Sequence, residues 1–159
     1  MTEHLHFALP FIAALGAGLT AGIFFAFSAF VMTALGRLPP PEGIAAMRSI
    51  NAAILNPLFF VVFFGTAALC LLAAVAAIVE WPLPEAFYLI AGSVLYLVGA
   101  LLVTMQRNVP LNLALDRSNP ESAEGALLWL RYLRVWTAWN HVRTVASLAA
   151  MAAFILALR

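Results

Sequence analysis

From Phe7 to Gly36 the chain runs for thirty residues without a charge. As a helix that stretch is about 45 Å long, more than the hydrocarbon core of a bilayer at about 30 Å. Such a run can cross the membrane as a helix with residues to spare, by tilting or by protruding. Two further uncharged runs follow, at 58–79 and 86–106, and a fourth apolar segment at 137–158 closes the sequence. The expected fold is all-α: a four-transmembrane-helix bundle forming a single membrane domain over 1–159. Composition agrees, with 65% hydrophobic and 9% charged residues, against about 45–50% and about 25% in soluble domains.

The segments between the runs complete the layout. Leu38-Pro-Pro-Pro-Glu-Gly43 ends the first helix, and residues 44–55 read as a short amphipathic helix between helices 1 and 2. Asn56-Pro57 breaks it and supplies the N-cap and first position of the next helix. Glu80 to Glu85 is a tight turn in which Trp81 suits the membrane interface. Pro110 is expected to end the third helix near Asn108. Asn119-Pro120-Glu121 reads as the start of a long cytoplasmic extension leading into helix 4. Small residues at Gly18 and Gly22 permit close helix approach, within the molecule or against another copy, which leaves a homo-oligomer open. Gly92 and Gly99 do the same in the third span. The thirty-residue first run is too long for a signal-peptide core, so it is expected to be retained.

Of eight arginines, seven (Arg37, Arg48, Arg107, Arg117, Arg131, Arg134 and Arg143) fall on one side of a four-span topology. The positive-inside rule then places both termini outside and the loops 37–57 and 107–136 in the cytoplasm, as in a bacterial inner membrane. A net charge of +1 without a basic tract gives no reason to expect nucleic acid. The lone Cys70 can form neither an internal disulfide nor a cysteine metal cluster. His4 and His6 are a pair too small to define a metal site.

The last segment raises the functional question. Only Thr144 to Leu158 is uncharged, fifteen residues or about 22 Å of helix. A spanning helix needs about 20 residues, and counting back from Leu158 reaches Trp139. Asn140, His141 and Arg143 are thereby drawn to hydrocarbon depth, where polar groups face protein or a wet cavity and mark function by default. Arg143 snorkelling to the headgroups, with Asn140 bonding a neighbouring helix, accounts for the same residues without a site. Trp129, Leu133, Trp136, Asn140, Arg143, Thr144 and Ser147 share one side of this helix, with His141 about 100° from Asn140.

Topology gathers the unusual residues in the cytoplasmic half of the bundle. Arg48 and Asn51 come from the short helix, Asn108 and Asn112 from the end of the third span, and Trp136, Asn140, His141, Arg143 and Thr144 from the fourth. Four amides, two arginines and a histidine suit an oxygen-rich planar ligand, with Trp136 or Trp139 as a stacking surface. No buried carboxylate pair offers a metal site; Asp116, the nearest acid, lies in the loop. His141 is the one candidate general base, although a lone histidine in a helix is more often structural.

The stretches INAAILNPLFFVVFFG (Ile50–Gly65), TMQRNVPLN (Thr104–Asn112) and WTAWNHVRT (Trp136–Thr144) resemble the DUF1772, or anthrone oxygenase-like, membrane proteins over essentially the whole chain. Characterised members oxidise anthrones to anthraquinones with molecular oxygen, without metal or flavin. The resemblance implies that Asn108, Asn112, Trp136, Asn140, His141 and Arg143 line the site. In the corresponding mechanism His141 takes a proton from the anthrone methylene. Arg143, Asn112 and Asn140 then stabilise the oxyanion, and oxygen attacks the carbanion. No cofactor is needed, though His141 leaves haem ligation open. A non-catalytic binder or carrier of an apolar or quinone-like molecule would use the same pocket. An accessory membrane subunit would use the Gly18/Gly22 face.

Overall fold

Charge-free sequence becomes helix almost without interruption. The computed structural model describes residues 2–79 and 84–159, and these form five helices joined by short connections. Helix α1 comprises Thr2–Ala26, one π-helical turn at Phe27–Val31, and Met32–Leu35. Helix α2 is Pro40–Ala53 and α3 is Pro57–Val79. Helix α4 starts at Pro84–Val94, continues through π-helical stretches at Leu95–Leu102 and Thr104–Asn108, and ends with Val109–Arg117. Helix α5 is Ala123–Leu156, 34 residues or about 50 Å long. Of the turn expected from Glu80 to Glu85, residues 80–83 with Trp81 lie outside the described residues, as do the side chains of His4 and His6.

Three of the helices are long and apolar enough to cross a membrane: Phe7–Leu35, Pro57–Val79 and Glu85–Arg117. Their outward faces carry large apolar side chains, such as Leu58, Val61, Leu72, Ile78 and Val79, all exposed. A soluble monomer rarely shows apolar patches beyond a few hundred Å², whereas lipid requires them. With the family assignment below, these helices make the chain an integral membrane protein.

Local chemistry explains the helix ends. The Asn56 side chain accepts a hydrogen bond from the Phe59 amide at 3.0 Å, the expected cap ahead of Pro57. Helix α2 begins at Pro40, four residues earlier than hydropathy alone places it, because proline is pre-set for a first turn whose amides have no partner. Helix α5 is capped by Ser122, whose hydroxyl accepts from the Gly125 amide at 3.0 Å. Asn119 instead bonds the Glu121 amide at 3.1 Å in a turn, so the helix starts later than expected.

One expectation fails for an instructive reason: Pro110 does not end the third span. The Val109 amide bonds back to Thr104 O, five residues away, so the hydrogen-bond register shifts just before the proline. Pro110 then sits at the start of a new α-helical segment, where a missing N–H is no loss. The helix carries on to Arg117, which keeps Asn108 and Asn112 on one rigid element.

The core divides into two clusters. One, centred on Ala13, Ala17, Phe63, Cys70, Ala73, Tyr96, Ala150 and Phe154, joins α1, α3, α4 and α5. Its alanines let the helices approach closely, and glycines do so further: a Cβ on Gly99 would collide with Ala146, and one on Gly92 with the Phe154 ring. Gly18 packs under Met151 in the same way, but Gly22 is exposed with nothing near it, so the pair does not act together inside the molecule. The second cluster holds Met32, Ile44, Met47, Leu115, Trp129, Tyr132 and Trp136 around α2 and the N-terminal half of α5.

Candidate functional site

At the seam between the two clusters is a cavity of about 400 Å³, within the range of small-molecule pockets. Its deep wall is Phe24 and Phe27 of α1, Met47 of α2, Thr104 of α4, and Trp136 and Arg143 of α5. Exposed Ala52, Leu55, Leu113 and Asp116 form its rim. Most of the lining is apolar, with a few polar groups set into it.

The most unusual of these groups is Arg143, which is only 4% exposed. Its Cζ lies 4.1 Å from the Phe24 ring centroid and 5.0 Å from that of Trp136. Nη1 donates to Thr104 Oγ1 at 3.1 Å, and Nη2 donates to Asn140 Oδ1 at 2.6 Å. Nε is buried without a partner. Among the described residues no carboxylate contacts it. The aromatic faces offset part of the cost of removing a guanidinium from water, about 2 kcal/mol for a desolvated cation–π contact. A buried ion still costs several kcal/mol. Arg143 therefore stands in the pocket wall as a guanidinium with no carboxylate paired to it.

Arg143 is held there by Asn140, which is fully buried and faces α1. The Asn140 amide donates to the Phe24 carbonyl and to Ser28 Oγ, both at 2.7 Å, while its oxygen serves Arg143. Thr144 completes this layer, donating to the Asn140 carbonyl at 2.9 Å and meeting Ser28 Oγ at 3.2 Å. Neither Asn140 nor Thr144 lines the cavity.

Trp136 forms the flat part of the wall. Its indole Nε1 donates to Asn112 Oδ1 at 2.8 Å, and the Tyr132 hydroxyl donates to the same oxygen at 2.7 Å. Trp129, Tyr132 and Trp136 stack at 5.6 and 5.8 Å between centroids, which fixes the plane of the indole. Burial pushes the Tyr132 phenol above the ordinary tyrosine range, so it serves as a neutral hydrogen-bond donor. With the Asn112 oxygen doubly engaged, its NH₂ is the part of that side chain free to serve a ligand. Asn51 lies in the cavity wall from α2.

Arg48 also lines the cavity, but its guanidinium is spent on the end of α4. It donates to the Leu115 carbonyl at 2.6 Å and to the Ser118 carbonyl and hydroxyl, satisfying carbonyls that the helix leaves over. Asn108 is buried away from the cavity; its amide bonds the Trp136 carbonyl at 3.2 Å and its oxygen has no partner. It ties α4 to α5.

His141 is placed differently from its neighbours. It is exposed, on the face of α5 that also shows Arg134, Ala138 and Val145, and it is not part of the cavity wall. Two residues along a helix is a rotation of about 200°, so His141 and Arg143 cannot both face one site. That rotation was available in the sequence. Trp139 also lies outside the wall, with Arg107 stacked 4.9 Å over its ring. Phe24, Phe27 and Met47 had no polar mark to single them out. Thr104 carried a signal, lying four and eight residues before Asn108 and Asn112. Asp116, expected in a loop, continues α4 to the rim. No group of three or more metal-binding side chains occurs among the described residues.

The family described as anthrone oxygenase matches residues 59–153, more than half of the 159-residue chain. No curated protein and no solved structure matches it.

Proposed function

The chain belongs to the anthrone oxygenase family, and from that premise we propose a four-span membrane oxygenase acting on flat, hydroxylated aromatic molecules of the anthrone kind. The observation that carries this reading is an apolar cavity of about 400 Å³ with Arg143 set between the Phe24 and Trp136 rings. Such a wall offers stacking to a ring system and one positive charge to an oxygen.

The fourth span in this reading is the C-terminal half of α5. Its exposed Val142, Val145, Leu148 and Ile155 continue the apolar girdle of the other three helices. The arginine distribution supports a reading with both termini outside and the pocket in the cytoplasmic half.

In the proposed reaction the methylene of an anthrone, acidified by the ring carbonyl, loses a proton. The C–H electron pair delocalises onto the carbonyl oxygen, which Arg143 and the Asn112 amide stabilise. The proton passes to Asp116, the carboxylate in the pocket wall, a role for which the sequence had suggested His141. The carbanion reduces molecular oxygen and forms a C–O bond to it, and the peroxide anion takes the proton back from Asp116. The resulting hydroperoxide eliminates water, which leaves a ketone. One oxygen atom stays on the ring and the other departs as water, so the substrate supplies every electron and no resident cofactor is needed.

Purified protein in detergent tests this with an oxygen electrode and a panel of anthrones and hydroquinones. One oxygen consumed per anthrone, with growth of the quinone absorbance, is the expected result. The absence of a histidine from the described cavity wall favours a second reading, a binder or carrier of the same molecules. Tight binding of every anthrone tested with no protein-dependent oxygen uptake selects that reading and overturns the first.

A further inference from the structure

Arg143 has five N–H donors, of which Thr104 and Asn140 take two. Its remaining donors sit in a wall whose other charged side chains are already placed. Arg48 from α2 is engaged by Leu115 and Ser118, and Asp116 from α4 lies on the exposed rim. Helices α1 and α3 bring only apolar side chains to the described wall: Ile23, Phe24, Phe27 and Phe59. Tyr132, behind the wall, is a neutral donor to Asn112.

An apolar cavity raises the pKa of an acidic ligand, because low dielectric penalises the anion. A cation within about 4–6 Å does the reverse, lowering it by about 1–3. Here the two effects are built into one wall, and the side chains around Arg143 decide between them. Its acceptors are a hydroxyl and an amide rather than a carboxylate, so no acid pairs with it directly, and the one carboxylate of the described wall, Asp116, is exposed at the rim.

We propose that the pocket selects its ligand in ionised form, as the oxyanion of an acidic hydroxyaromatic molecule with Arg143 as counter-charge. This rests on the aromatic pocket proposed above and narrows its ligand class. Binding itself involves no redox step. An O–H bond breaks, the electron pair remains on the ligand oxygen, and the proton leaves past Asp116 to water. Ionisation at oxygen is separate from the methylene C–H step of the reaction proposed above, whose proton still passes to Asp116.

The probe is 2-hydroxyanthraquinone, a three-ring phenol already at the quinone level, whose colour changes on ionisation. Titrated against the purified protein under nitrogen, the bound dye should ionise about 1–3 pH units below the free dye. The 2-methoxy ether, which cannot ionise, should bind at least about tenfold more weakly than the anion, corresponding to one such unit. Arg143→Gln should reverse the shift, so that bound dye ionises above free dye, and Arg143→Lys should keep a downward shift. Wild-type measurements suffice if Arg143→Gln does not fold. Bound dye that ionises at or above the free value, an ether that binds as well as the anion, or failure of the anion to bind each overturns the proposal. So does a downward shift that persists in folded Arg143→Gln. Oxygen uptake plays no part in these readings, so failure of the oxygenase reading is a separate outcome.

Discussion

Replacing Asn140 with alanine should be among the most damaging single changes in α5, and the structure allows the loss to be apportioned. The side chain makes three hydrogen bonds, to the Phe24 carbonyl, to Ser28 and from Arg143. Interhelical bonds between neutral groups in membrane proteins average about 0.6 kcal/mol each. A bond to a charged group contributes about 1.5–3 kcal/mol. Asn140→Ala should therefore cost about 3–4 kcal/mol, most of it from a guanidinium left short of an acceptor. Asn108→Ala is the internal comparison, because that side chain makes one bond and already carries an orphaned oxygen. It should cost below about 1 kcal/mol. Reversible unfolding by SDS titration in mixed micelles measures both. The double variant Asn140→Ala/Arg143→Met should recover part of the loss, since an apolar side chain leaves no charge to satisfy. Equal costs for the two asparagines, or a strictly additive double variant, would refute the view that Asn140 exists to hold Arg143.

Three further expectations follow from the same geometry. His141→Ala should leave oxygen uptake within about twofold of wild type, because the side chain is outside the pocket; a loss of tenfold or more, or about 1.4 kcal/mol, would return it to the mechanism. Asp116→Asn should lower the turnover rate with little change in KM for an anthrone, as expected when a proton acceptor is lost, and steady-state oxygen consumption separates the two. Gly99→Leu should destabilise the bundle by about 1–3 kcal/mol through overpacking against Ala146, while Gly22→Leu, at an exposed and open position, should change unfolding by less than about 0.5 kcal/mol.

The legible parts of this fold are those fixed by local or periodic rules. The stripe from Trp129 to Ser147 is buried, with only Leu133 half-buried, because its spacing of three and four residues keeps it on one helix face. Asn56 caps α3 because no nearby alternative competes for the Phe59 amide. Pro110 could not be read correctly, since the π-helical register at Thr104–Asn108 that accommodates it leaves no mark in hydropathy or residue type. The phenylalanines of the pocket were illegible for another reason. In a membrane helix Phe24, buried beneath a guanidinium, and Phe25, exposed, are the same residue type one position apart. Lipid removes the polar outer face that marks the buried side of a soluble helix, so apolar pocket walls leave no trace in hydropathy.

Arg143 is placed at a cost to the fold. A buried ionic group adds little net stability, and an apolar side chain of similar volume often packs as well or better. The surrounding structure nonetheless commits Asn140, Thr104 and two aromatic faces to holding this guanidinium beside a cavity. Snorkelling would have carried the charge outward to the headgroups at little cost, and the side chain turns inward instead. Under the proposed function this guanidinium is complementary to an oxyanion, which is how binding energy is reserved for a ligand, or for a reacting species, rather than for the fold.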